Sequence, residues 1–193
     1  MIDYSRIAAA VESYHMLRYE YIEVPWLVSK SSVDITKPPE ARYFETPFGQ
    51  LVGSGEQSFI EIRNKLKPYG RYQCVTPCFR DEKVDELHKQ FFIKLELITV
   101  IAKGQDEEFL LKEMIDDAWG FFLSYVSMDD MEIVDKNDGS FDIEVKGIEI
   151  GSYGIRRIED FAWVYGTGIA EPRFSQAAPS DDTLYGDGSH CWK

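Results

Sequence analysis

The run from Phe91 to Val100 carries the most restrictive pattern in the chain. Phe91, Ile93, Leu95 and Leu97 fall on one side of an extended strand, and Phe92, Lys94 and Glu96 on the other. The first side is apolar enough to cover a core. The second presents an aromatic ring, a cation and a carboxylate together, a combination suited to the wall of a binding site. Just upstream, YQCVTPCFRDE reads as a partner strand that begins at Tyr72 and ends in Phe79-Arg80-Asp81-Glu82. The polar loop Lys83 to Gln90 joins the two strands.

The remaining segments supply what such a hairpin would need around it. Tyr4, Ile7, Ala8, Val11 and Tyr14 recur at helical spacing. A short strand, Tyr21 to Val24, is stopped by Pro25, which cannot donate to a ladder. Residues Ser29 to Pro39 read as a loop, and short strands follow around Tyr43 and Gln50. After Gly53-Ser54-Gly55-Glu56-Gln57, the stripe Phe59, Ile62 and Leu66 marks a helix that ends before Pro68. The clearest helix runs from Asp106 to Tyr125, with Leu110, Met114, Ala118, Phe121 and Tyr125 on one side and acidic residues in its first turn. Strands are expected at Met131 to Val134, Phe141 to Val145, Ile148 to Ile150 and Phe161 to Ala170. Beyond Phe174 the chain is polar and broken by Pro179, so residues 175–193 read as a loosely held tail. This order predicts an α+β domain over residues 1–174, an antiparallel sheet flanked by helices.

A length of 193 residues suits one domain with a substantial core, and an aromatic content of 14% favours a sheet-rich fold. The formal net charge of -13 argues against a general nucleic-acid binder, because phosphate contacts need clustered Lys and Arg. It leaves room for a local basic pocket. The opening MIDYSRIAAAVESY lacks the apolar stretch of a signal peptide, and no apolar run reaches membrane-spanning length. Cys74, Cys78 and Cys191 form no disulfide framework, so a cytoplasmic protein without a membrane partner is expected. Cys74 and Cys78 lie four apart on one strand face and read as buried thiols rather than metal ligands.

Several residues have the chemistry of a nucleotide site. Arg80 at a strand end, with Phe92 and His88 beyond the loop, suits a nucleotide, since a guanidinium grips phosphate in a fork and an aromatic face stacks a base. Glu82 offers an acceptor for an exocyclic amine. The same residues also read as a solvated hairpin loop. Asp142 and Glu149 sit on strands that meet at Lys146-Gly147, where two carboxylates repel unless they share a cation such as Mg²⁺ with a substrate phosphate. Arg156 follows Gly151-Ser152-Tyr153-Gly154, and Arg173 follows Gly166-Thr167-Gly168; both glycine pairs suggest close backbone approach to a ligand.

Taken together, these pieces resemble the three motifs of a class II aminoacyl-tRNA synthetase catalytic domain, over roughly residues 4 to 174. The first helix with YIEVPWL is similar to motif 1, FRDE with the following strand to motif 2, and GTGIAEPR to motif 3. The subgroup most similar in pattern holds the aspartyl- and asparaginyl-tRNA synthetases and the AMP-forming asparagine synthetase. Phe92 lies twelve residues after Arg80 as that pattern requires, and FDIEVKGIEIGSYGIR resembles its YDxxxNGxExGGGSxR segment without a gap. The resemblance implies Arg80 on the α-phosphate, Glu82 and Phe92 on adenine with His88 nearby, and Arg173 on the γ-phosphate. It further implies Asp142 and Glu149 on Mg²⁺ and ATP, Gln57 and Glu96 near a substrate ammonium, and Arg156 on the side-chain carboxylate or amide. Lys94 departs from the subgroup, which usually has glutamine there.

The function this implies is an ATP-dependent, AMP-forming ligase that activates aspartate or a similar amino acid and passes the acyl group to ammonia, an amine or a carrier. Arg80 and Arg173 would be its catalytic residues. A minimal synthetase acting on tRNA is the alternative within the enzyme class, disfavoured by charge and size. A degenerate module that binds an amino acid or nucleotide and regulates a partner is the alternative outside it. Homodimerisation through the first helix and strand is a further implication of the resemblance.

Overall fold

A computed structural model describes residues 1–38, 41–81, 83–84 and 89–179. The chain opens with helix α1 (Tyr4–Met16), strands β1 (Glu20–Tyr21) and β2 (Leu27–Val28), and helix α2 (Lys30–Thr36). Strands β3 (Glu45–Thr46) and β4 (Gly49–Leu51) lead into helix α3 (Gly55–Glu61). The expected hairpin follows as β5 (Arg71–Phe79) and β6 (Phe91–Ile101), then helix α4 (Glu107–Phe122). Strands β7 (Met131–Asp135), β8 (Phe141–Val145), β9 (Ile148–Ile158) and β10 (Phe161–Glu171) precede a short helix α5 (Arg173–Ala177).

Seven strands form the main sheet in the order β1-β5-β6-β10-β9-β8-β7, and β2-β4-β3 form a small second sheet. The α+β reading with a flanked antiparallel sheet holds, with one exception at the edge. β1 pairs with β5 in parallel, Glu20 beside Tyr72 and Tyr21 beside Gln73. No hairpin links these two strands; β1 enters from α1 and lies along β5 as an edge. Its strand is shorter than the expected Tyr21 to Val24, although the Ile22 N–H still donates to the Gln73 carbonyl at 3.0 Å.

The alternation along β6 decides how the layers are placed. Leu95 and Leu97 face a core built with Ile7, Ala10 and Tyr14 of α1 and with Leu111, Met114, Ala118 and Phe122 of α4. Ile98 and Val100 face the opposite way, into a core closed by Phe59 and Ile60 of α3 with Tyr72, Cys74 and Trp163. Side-chain caps fix where the helices begin. Asp3 accepts from the Ser5 and Arg6 N–H groups, and Asp106 from the Phe109 N–H.

The segment Ser29 to Pro39, expected as a loop, instead contains α2. Ser29 caps it through the Ser32 N–H, and Lys30 pairs with Asp34 one turn later at 2.5 Å. β9 runs past Ile150 to Ile158 and absorbs the Gly-Ser-Tyr-Gly segment. Packing also continues past residue 174. Phe174 and Ala178 are buried, and Arg6 donates to the Ala178 carbonyl at 2.7 Å while its guanidinium lies 5.2 Å over the Phe174 ring.

A β-bulge in β10 sets the geometry of its end. Thr167 lies opposite Glu96 and Ile169 opposite Leu95, which leaves Gly168 as the extra residue. The Tyr153 hydroxyl donates to the Thr167 carbonyl at 2.7 Å and the Tyr14 hydroxyl to the Gly168 carbonyl at 2.9 Å. A Cβ on Gly168 would collide with Leu95 and Tyr14, and one on Gly166 would lie 2.6 Å from the Met114 sulfur. The closeness expected for a ligand at Gly166 and Gly168 is therefore taken up by core side chains. At Gly154 the same holds, since a Cβ there would lie 2.6 Å from the Tyr165 hydroxyl.

Because Leu97 is fully buried between β6 and the α1–α4 layer, Leu97→Ala is expected to cost about 2–5 kcal/mol in urea unfolding. Ile133→Ala, at a position 47% exposed on β7, should change stability by no more than about 0.5 kcal/mol. Equal losses at the two positions would contradict the layer assignment.

Candidate active site

A cleft of about 290 Å³ opens on the α3 side of the sheet, where β5 and β10 end and β6 and β9 begin. Its walls include Arg80, Phe92, Lys94 and Glu96 from the hairpin, Ser54, Glu56 and Gln57 around α3, and Glu149, Ser152 and Arg156 from β9. Tyr165 and Thr167 precede the β10 bulge on this wall, and Ala170, Pro172 and Arg173 follow it. The polar side of β6 is thus the wall of a cleft, as its alternation predicts. Among the described residues five cations line the cleft, Arg80, Lys89, Lys94, Arg156 and Arg173, against four carboxylates, Glu56, Glu96, Glu149 and Glu171. In a chain of net charge -13 that balance is local and reversed.

Glu96 is almost wholly buried, 1% exposed. One carboxylate oxygen accepts from the Lys94 ammonium at 2.9 Å, and the other from the Ser54 hydroxyl at 2.5 Å. Lys94 reaches it because residues two apart share a strand face. Ser54 reaches it because it caps α3, whose first residue is Gly55. A Cβ on Gly55 would stand 3.0 Å from both the Cys74 sulfur and the Glu96 Cβ, so glycine lets the helix start sit directly on the sheet.

Arg156 projects from β9 and forms an ion pair with Glu56 of α3, its guanidinium 4.2 Å over the Tyr165 ring. The other Glu56 oxygen accepts from the Trp163 indole N–H at 2.7 Å. Burial pushes the Glu56 carboxyl above the ordinary carboxylate range, and the Arg156 guanidinium offsets part of that shift. Gln57 is 1% exposed and spends its amide on the surrounding loops. Its oxygen accepts from the Gly53 N–H at 2.8 Å, and its nitrogen donates to Thr36 and Tyr43. It lines the cleft but primarily holds the approach to α3 in place.

At the mouth, the Arg80 guanidinium lies 5.0 Å over the Phe92 ring while its Nε donates to the Gly53 carbonyl at 3.1 Å. The ring and the fork expected for a nucleotide are therefore adjacent. Arg173, the first residue of α5, donates to Glu149 at 3.3 Å. Glu82 and His88 lie outside the described residues.

Asp142 and Glu149 take different partners. Asp142 pairs with Lys136 at 3.0 Å and faces Ser152 across β8–β9, whereas Glu149 faces Glu144 and pairs with Arg173. Asp142 does not line the cleft; Glu149 does. Among the described residues no group of three metal-ligating side chains is present. Two carboxylates suit Mg²⁺ where waters and substrate phosphates complete its shell.

Glu56, Ser54, Tyr165 and Trp163 were not anticipated as site residues. Glu56 lies 100 positions from Arg156, and only tertiary structure brings the pair together.

Solved structures that share this arrangement of elements include three of tRNA synthetases. A pyrrolysyl-tRNA synthetase, PylSc, from Desulfitobacterium hafniense superposes with a TM-score of 0.65 at 13% identity, over 86% of this chain and 65% of that one. A second pyrrolysyl-tRNA synthetase structure from that organism gives 0.66 at 14%, over 90% and 67%. The cytoplasmic serine-tRNA ligase of Naegleria fowleri, solved in complex with AMP, gives 0.69 at 15%, over 89% and 46%. The fold is that of the class II aminoacyl-tRNA synthetases. The chain spans less than two thirds of the first PylSc structure and under half of the serine-tRNA ligase. No protein-family model and no curated protein matches its sequence. Within the synthetase fold the cleft sits on the open face of the sheet, away from α1 and α4. None of the described helices is long and apolar enough to cross a membrane.

Cys74 and Cys78 are both fully buried beside this cleft. Burial raises the Cys78 thiol from its ordinary 9.0 to about 11. The folded state keeps a proton that the unfolded chain releases, so this thiol's contribution to stability is full below 9.0 and is lost as pH rises towards 11. Alkylation at pH 9 with peptide mapping should leave Cys74 and Cys78 unmodified in the native protein and modify both in urea. Rapid native modification at either position would contradict the packing.

Proposed function

We propose that the chain is an ATP-dependent, AMP-forming ligase. It activates the carboxylate of a small acid, aspartate or a similar one, as an acyl-adenylate and passes the acyl group to ammonia, an amine or a carrier. The observation that supports this best is the Arg80–Phe92 pair at the mouth of a cleft that also holds Arg156 and Arg173. A guanidinium over an aromatic face suits a nucleotide, with the ring stacking a base and the fork taking a phosphate. The finer similarity to the aspartyl, asparaginyl and asparagine-synthetase pattern belongs to this proposal, as does a homodimer formed through α1 and β1.

In the reaction, a carboxylate oxygen of the acid bonds to the α-phosphorus as the bond to pyrophosphate breaks. Arg80 offsets negative charge growing on the α-phosphate, and Arg173 holds the far end of the triphosphate. Arg156 orients the acid. Holding both reactants in line contributes much of the rate, and no covalent nucleophile is required. Of the two acids expected on Mg²⁺, Glu149 lines the cleft and would hold the ion, which would supply charge neutralisation on the phosphates. Glu82 and His88 would complete the adenine side.

A second reading has one observation in its favour. Asp142 and Glu149 are each closed by a cation of the chain itself, Lys136 and Arg173. A module that binds nucleotide without turnover would have the same feature. ATP–pyrophosphate exchange across a panel of small acids, amino acids included, separates the two. Exchange with at least one acid is expected, falling about 10²–10³-fold in Arg80→Ala and lost in Arg156→Ala. ATP binding without exchange for any acid would select the binding module. Charging of bulk tRNA would move the acceptor to tRNA.

A further inference from the structure

Two buried carboxylates of the cleft, Glu96 and Glu56, are answered by the chain's own cations, and in each pair the cation is the outward partner; a third, Glu171, turns to the Ser175 hydroxyl of α5 at 2.9 Å. The Glu96 side chain is 1% exposed against 13% for Lys94, and that of Glu56 is 5% exposed against 36% for Arg156. Every oxygen of these two carboxylates already has a donor. Glu96 accepts from Lys94 and Ser54, and Glu56 from Trp163 and Arg156. At the rim the order is reversed, with Glu149 more exposed than Arg173.

This arrangement is poorly suited to a substrate ammonium. To reach Glu96 it must come alongside Lys94, and to reach Glu56 it must come alongside Arg156. Either way two cations would share one carboxylate in a partly desolvated space, where like charges repel strongly. The outward ends of the pairs suit an anion instead. Resting on the acid-activation reading but replacing the aspartate named there, we propose that the acid held in the inner cleft carries no ammonium group. It is a small dicarboxylate, taken at Lys94 and Arg156, rather than a zwitterionic amino acid.

Succinate and L-aspartate share a carbon skeleton and two carboxylates and differ by the ammonium, so they test this directly. Calorimetry on the full chain should show succinate binding about tenfold or more tightly than aspartate. In Lys94→Gln the preference should fall or reverse, because Glu96 is released for an ammonium. Lys94→Arg, which keeps the charge, should retain the preference and serves if the glutamine variant misfolds. Aspartate binding as tightly as succinate, or neither acid binding at millimolar concentration, would overturn the proposal. ATP binding, measured separately on the same protein, reports on the nucleotide reading. ATP bound with no succinate preference sinks only the acid assignment, while a succinate preference without ATP binding sinks only the ligase reading.

Discussion

A carboxylate cannot be taken out of water alone, and the organisation of this cleft follows from that fact at Glu96. Desolvating it without a partner would cost several kcal/mol or drive it to its neutral form. Lys94 supplies the opposite charge from the same strand face, and Ser54 supplies a hydroxyl from the cap of α3. The second bond ties a helix to a sheet. It is possible only because Gly55 lets the helix begin in contact with Cys74 and Glu96. One buried charge thereby fixes the position of α3, and α3 in turn carries Glu56 to Arg156.

The opposite face of the sheet contributes by holding the bulge. Tyr153 and Tyr14 reach through the helix-side core to donate to successive carbonyls at Thr167 and Gly168. Their hydroxyls are satisfied inside the protein, and the carbonyls displaced from the β6–β10 ladder are satisfied too. The extra residue changes which side chains of β10 face the cleft, from Tyr165 and Thr167 before it to Ala170 after it. Arg173 enters the cleft wall as a consequence. Arg6 then secures the turn that follows through the Ala178 carbonyl and the Phe174 ring.

Period-two patterning made β6 legible from its residues alone, because each face meets a uniform environment over the whole strand. The long helix α4 was legible for the equivalent reason, although its buried stripe is centred on Leu111, Met114 and Ala118 rather than starting at Leu110. Short elements were not. α2 spans seven residues, too few for an apolar stripe, and its capping serine and Lys30–Asp34 pair resemble ordinary loop chemistry. The glycines of β9 and β10 signalled close approach correctly but not what approaches, since a ligand and a tyrosine ring make the same demand on the backbone. Arg156 and Lys94 stood out in the sequence as cations of interest. That each points its charge outward from a buried acid depends on partner burial, which no local pattern encodes.

The acidic surface and the basic cleft act over different distances. At physiological ionic strength, charges on open surface are largely screened beyond about 8 Å. An anion therefore feels little of the chain's net charge of -13 until it is close. Inside the cleft, low-dielectric walls preserve the local field of Arg80, Lys94, Arg156 and Arg173. The two inner cations are held in place by buried acids that neutralise them only in part from the cavity's side, so their direction, and not their number, makes the site anion-selective. Exchanging the depths of one such pair, with the acid outward and the cation behind, would leave the net charge unchanged and invert what the cleft can bind.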